Sequence, residues 1–256
     1  MGSDKAEMGI LEHLAELRLR LAYALAALTA ASVIAYGFAG SLFLLLSAPY
    51  FQTFSNTGAQ AADLIGTGPA EAFILKIQLS IFAGAILASP VIFYQVWRFI
   101  SPGLYEHEKK WAVPFLGCST VLFVGGVLFC YYAVLPIAFD FFNDQYTSIG
   151  VKPAVKISEY LSLVIRLLLA FGLVFEIPVL AYFLARFGLI DDQMLLRWVR
   201  PAIVVIFIVS AIITPPDVIS QFLLAAPLIL LYGFSILIAK YANPARRSSE
   251  PLEGTD

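Results

Sequence analysis

The chain has 256 residues, 60% of them hydrophobic and 13% charged, with a formal net charge of −2. Soluble domains carry about 45–50% apolar and about 25% charged residues, so this composition has more apolar surface than a core of this size can hide from water. The excess must face lipid, which excludes soluble enzymes, nucleic-acid binders and disordered scaffolds.

In chain order, the first patterned segment is amphipathic. Ile10, Leu14, Leu17 and Leu21 recur at steps of four, three and four, one stripe of a helix, while Glu12, Glu16 and Arg20 share its other side. Residues 1–20 are expected to form a cytoplasmic amphipathic segment, a short interfacial helix with a Glu16–Arg20 pair worth about 0.3–0.5 kcal/mol. A bilayer span needs about 20 largely apolar residues. Residues 21–46, 77–97, 115–135, 167–185 and 218–239 meet or approach that length, and residues 201–213 form a shorter apolar run. The first run is too long for the apolar core of a cleaved signal, about 7–15 residues, and is expected to be retained.

The expected fold is an all-α polytopic membrane protein of six transmembrane helices filling residues 21–241, with short, bent helices 5 and 6. The fifth crosses a full-thickness bilayer only where the membrane thins. Of the 16 Lys and Arg residues, twelve fall on the side of the termini and three on the other. That bias places both termini in the cytoplasm. Trp97, Trp111 and Trp198 abut basic residues on the same side, as an interfacial aromatic belt should. Residues 242–256 are polar and expected to be a disordered cytoplasmic tail.

The informative residues are the polar ones that a purely structural bundle does not need. Ser101-Pro102 has the form of a helix start, and Glu106 and Glu108 follow it at the cytoplasmic mouth. Glu176 lies ten residues before Arg186, near mid-membrane, where an ionisable group costs about 2.5–3.5 kcal/mol. It must face protein or water. Arg166 is ten residues away on the same expected helix and about 280° round it, too far round to pair. Asp217, in the outer turn Thr214-Pro-Pro-Asp217, reads as an N-cap for the last helix, with Gln221 one turn inside. Pro114, Pro136, Pro178, Pro201 and Pro227 imply bent helices. Cys118 and Cys130 read as two small core residues too far apart to bridge. No P-loop occurs, and no catalytic, cofactor-binding or metal-binding set is read from the sequence. His13 and His107 both fall in cytoplasmic segments, which leaves no dyad for an intramembrane hydrolase.

Four stretches carry a family resemblance: HLAELRLRL (13–21), SPVIFYQVWRFISPGLYEHE (89–108), FGLVFEIPV (171–179) and TPPDVISQ (214–221). Together, in this order, they resemble the TatC family, core subunit of the twin-arginine, Sec-independent protein translocase. The resemblance implies a non-enzymatic receptor in the bacterial cytoplasmic (inner) membrane that binds the twin-arginine signal peptides of folded cargo. It also implies export driven by the proton-motive force, with the single-span subunits TatA and TatB, self-association, and no nucleic acid. Carried over by motif, Glu16 and Glu108 would contact the two arginines, and Arg18, Pro90 and Phe99 would shape the same cytoplasmic site. Glu176, Thr214 and Gln221 would form the polar patch used by partner helices, with Asp217 at the outer turn. Glu106 stands where some members have a basic residue, which makes the local field more acidic. The rival reading is an ion- or proton-coupled secondary transporter using Glu176, but the chain shows neither a convincing inverted repeat nor a second membrane-embedded acid.

Overall fold

The computed structural model describes residues 10–55, 64–100, 112–151, 153–214 and 218–242. The described residues are almost entirely helical. Five helical stretches are long and apolar enough to cross a membrane: Glu12–Tyr36, Glu71–Ile100, Val113–Ser148, Ile157–Arg186 and Gln221–Ala242. Val199–Ile213 is a shorter apolar helix. No more than 44% of the best apolar window of any span is buried, so more than half of each such window is not covered by the described residues.

The chain divides into two compact units, residues 1–45 with 68–121, and residues 46–67 with 122–256. The first unit is organised by α1 (Ile10–Tyr36) packed along α3 (Glu71–Ile100). The amphipathic start and the first span are one unbroken helix. It stops at Tyr36, well short of the expected 46, because the chain turns through Gly37 and Phe38 before α2 (Ala39–Ser55) begins. Leu14, Leu17 and Leu21 of the apolar stripe are exposed among the described residues. The α1 and α3 backbones approach closely at Gly84, where a Cβ would meet the Ser32 side chain and lie 2.8 Å from its Cα and N. Small residues at such a crossing allow the close van der Waals packing that holds helices together in lipid. The hydroxyls of Thr29, Ser32 and Ser80 donate to carbonyls four residues back in their own helices, which satisfies them without water.

The helix α4 (Ala112–Phe129), which enters the second unit at Leu122, passes through a π-helical turn, Cys130–Val134, into α5 (Leu135–Ser148). Pro136 has no N–H for the Tyr132 carbonyl, and the wider π turn absorbs that defect. The span therefore runs 13 residues beyond its expected end at 135, to Ser148. Cys130 is buried, whereas Cys118 is exposed and is not the core residue expected from its apolar context. The next span, α6 (Ile157–Val174) and α7 (Glu176–Arg186), begins ten residues earlier than expected and is interrupted at Phe175. After α8 (Asp192–Arg197), α9 (Val199–Ile213) and α10 (Val218–Ala242) complete the unit, with α10 packed along α7 and against α9.

Aromatic rings of Tyr50, Phe54, Phe139 and Tyr160 fill one end of this unit, and the Tyr160 hydroxyl donates to the Leu46 carbonyl at 2.7 Å. One feature departs from an all-α reading. Leu64–Ile65 (β1) and Val155–Lys156 (β2) pair as a two-stranded parallel ladder, and backbone pairing at this scale leaves no sequence pattern.

The Gly84 crossing gives a stability test. Gly84→Leu is expected to lower the thermal midpoint in detergent by an amount equivalent to about 1–3 kcal/mol of overpacking. Gly40→Leu, where nothing lies within 4 Å of an added Cβ, is expected to leave the midpoint unchanged or raise it slightly.

Candidate functional site

Two groups of polar residues stand out, one in each unit. In the first unit, the opening turns of α1 meet the last turns of α3. The His13 ring stacks on Phe99 with centroids 4.4 Å apart and planes 19° apart. Glu16 lies one turn further along α1, on the same side as His13. Its Oε1 accepts from Nη2 of Arg20 at 2.9 Å and from Nε at 3.3 Å, the pairing expected from the i, i+4 spacing. Both side chains are only 17% exposed, so this is a better shielded pair than a solvated surface bridge. Arg18 points away and is exposed.

Pro90 lies inside the continuous helix that delivers Phe99. It has no N–H to offer the Ile86 carbonyl, and the Ser89 hydroxyl donates to that oxygen at 2.7 Å instead. Toward the end of α3, Trp97 is buried against Phe115, with centroids 5.0 Å apart, and fixes the orientation of the last turn. Sequence reasoning missed His13 and Gln95 as parts of this region. The Gln95 carbonyl oxygen is buried without a described partner, one turn before Phe99 on the same face. A lone amide in an apolar helix, one turn before an aromatic, was the available signal. Glu106 and Glu108 lie outside the described residues.

In the second unit, Glu176 is 6% exposed. Its position follows from Pro178. The proline ring cannot donate to the Val174 carbonyl and clashes with it, so α6 ends at Val174 and a new helix starts at Glu176. Glu176 and Arg166 are therefore on two helices rather than one, and the angular argument for a single helix does not apply. The break also places the Glu176 carboxyl in the first turn of α7, where the positive end of the helix dipole favours negative charge.

Thr214 and Gln221 flank the α9–α10 turn. The Thr214 hydroxyl donates to the Ser210 carbonyl at 2.8 Å, and the Gln221 amide donates to the Phe207 carbonyl at 2.9 Å. Gln221 thus ties α9 to α10 with its N–H. Ala185 near the end of α7 clusters with Ala239 and Ala242 near the end of α10. In that register Glu176 is level with residue 230, and Gln221 lies about 14 Å further along α10. The three residues are spread over several helical turns of the second unit. Asp217 is outside the described residues.

Apolar helices of spanning length, broken at prolines beside buried polar side chains, define a multi-pass helical membrane protein. Comparison with known proteins narrows that class. Residues 12–227 match the sequence model of the TatC family, described as Sec-independent protein translocase protein. The TatC protein of Campylobacter jejuni is 40% identical over 241 residues, covering 94% of this chain and 97% of the relative. That of Helicobacter pylori is 42% identical over 238 residues, covering 93% and 90%. The fold matches the crystal structure of a twin-arginine translocase receptor, TatC, with TM-score 0.82 and 41% identity, over 90% of this chain and 99% of that one. The chain belongs to the TatC family. It is a subunit of the Sec-independent protein translocase, a non-enzymatic component that works with other Tat subunits in the membrane.

The break at Phe175 is expected to depend on Pro178. Pro178→Ala restores the missing N–H, and the distance between spin labels at Glu159 and Leu184 should lengthen as α6 and α7 straighten. An unchanged distance would mean that packing, and not the proline, holds the bend.

Proposed function

We propose that this chain is the receptor subunit that binds twin-arginine signal peptides of folded proteins on the cytoplasmic side of the bacterial inner membrane. In this reading the chain crosses the membrane six times with both termini inside, and α9 is the short fifth span. Residues 1–20 are the cytoplasmic segment, 21–241 the membrane domain and 242–256 the tail. The observation that carries the reading is the meeting of α1 and α3 in the first unit. There the partly shielded Glu16 carboxylate lies one turn from the His13–Phe99 stack.

Glu16 already accepts a guanidinium fork from Arg20 through one oxygen, and among the described residues no donor is placed on the other. A second guanidinium can use that oxygen. Arginine presents a rigid, planar set of donors that matches a carboxylate, whereas lysine presents a compact and strongly hydrated charge. With Glu16 taking one arginine and Glu108 the other, charge-assisted bonds of about 1.5–3 kcal/mol each favour Arg-Arg over Lys-Lys by an order of magnitude or more. Arg18, Pro90 and Phe99 shape the surroundings. Isothermal titration in nanodiscs tests this: Glu16→Ala and Glu108→Ala should each weaken a twin-arginine peptide at least about tenfold. Unchanged affinity in both variants would exclude the pocket.

Export itself is assigned to the assembled complex of this chain with TatA and TatB, driven by the proton-motive force and including self-association of the chain. Glu176, Thr214 and Gln221 serve as the polar strip for partner helices, with Asp217 at the outer turn. An interhelical hydrogen bond in hydrocarbon contributes about 0.6–2 kcal/mol. Glu176→Gln should therefore keep most of the TatB that copurifies with the chain, and Glu176→Ala should lose it. Equal recovery with the alanine variant would remove Glu176 from that role.

A further inference from the structure

A concave cavity of about 750 Å³ opens in the second unit, in a region to which the receptor reading assigns only Thr214. Its walls combine the rings of Tyr50, Phe54, Phe139 and Phe142 with a polar stripe of α6 that includes Ser162 and Arg166. The stripe follows from helical spacing, since Ser162 and Arg166 are four residues apart and share a face. We propose that this cavity holds a phospholipid of the surrounding bilayer, with its phosphate on Arg166 and Ser162 and an acyl chain along the aromatic wall.

The charge balance calls for an anion. Glu159, also on the wall, is paired with Lys156 at 3.4 Å. Among the described residues no carboxylate is in ion-pair reach of Arg166, so the wall carries one unmatched positive charge. Arg166 lies ten residues, about 15 Å, from Glu176 along the helical stretch Ile157–Arg186, immediately before the uncharged run that opens at Leu167. With Glu176 near mid-membrane, that places Arg166 at the margin of a hydrocarbon core about 30 Å thick, the level at which a long basic side chain reaches lipid phosphates.

Shape and donor chemistry favour a lipid over a partner helix. Rings from α2, α5 and α6 and the end of α9 enclose the cavity as a bowl. A helix about 10–12 Å across needs an open groove, whereas a flexible acyl chain can enter a bowl. A phosphodiester offers two charged oxygens that accept from the guanidinium fork and from a neighbouring hydroxyl together. The volume falls within the range of small-ligand sites, about 300–1,000 Å³.

Native mass spectrometry of the full chain, purified with phosphatidylglycerol and then washed in a delipidating detergent, tests the proposal. Wild type is expected to retain one phospholipid per chain. Arg166→Gln should reduce that occupancy about tenfold or more, and Arg166→Lys should retain part of it. Ser162→Trp, which fills the cavity and leaves Arg166 in place, should also displace the lipid. Lys240→Gln, at the end of α10, should not. Equal retention by Arg166→Gln and wild type would overturn the proposal. Loss of a copurifying single-span subunit from Arg166→Gln with lipid occupancy unchanged would also overturn it, and would assign the cavity to a protein helix. Because signal-peptide affinity is read in a separate assay on Glu16 and Glu108, failure here leaves the receptor reading intact.

Discussion

Hydrocarbon offers no hydrogen bonds, and the arrangement of this chain answers that one constraint. Each polar group carried into the membrane must find its partner on the protein. Helices satisfy the backbone, and side-chain hydroxyls are satisfied by turning back onto it, as Thr29, Ser32, Ser80 and Ser235 do. The longer polar side chains reach between segments. Tyr160 bonds to Leu46, Tyr232 to Leu195 and Gln221 to Phe207. These bonds join segments far apart in sequence, at places where apolar packing alone would discriminate little between registers.

Proline exploits the same constraint in reverse. By withholding a donor it leaves a carbonyl four residues earlier unsatisfied, and the chain must respond locally. Three responses occur here. At Pro90 a neighbouring serine supplies the donor and the helix continues to Phe99. At Pro136 the backbone widens into a π turn. At Pro178 the helix ends and restarts, which places a buried carboxyl at a helix N-terminus. Small differences in local compensation thus decide whether a proline gives a continuous arm, a widened turn or a break beside a buried carboxyl.

Charge is treated with the same economy. Two ionisable positions of the described membrane helices, Glu176 and Arg166, have distinct settings: one is buried at a helix start, the other lines a cavity. The acid proposed to read incoming arginines is instead near the start of α1, already engaged with an arginine of its own helix. A partly shielded i, i+4 pair of this kind contributes only modestly to stability. Its larger consequence is geometric, since it holds the carboxylate one turn from the His13–Phe99 stack before any ligand arrives.

The sequence by itself determined the membrane environment, the helical class, the approximate place of most spans and the Glu16–Arg20 pair, because apolar run length and i, i+4 spacing are local properties. It also carried the family motifs, whose unusual polar residues sit at fixed positions in single short segments. The first span, however, was read through Gly37 to residue 46, because composition does not change where the backbone turns. Likewise the fourth span was read as one helix through Glu176, although the proline that breaks it was visible. Only the tertiary structure decided these points, together with the stacking of His13 on Phe99, the Ser32–Gly84 crossing, the short parallel ladder and the aromatic cavity around Arg166. Each of these joins residues distant in the chain through packing or backbone pairing. Such contacts depend on how helices are brought together in space, and no periodicity within a single segment encodes them.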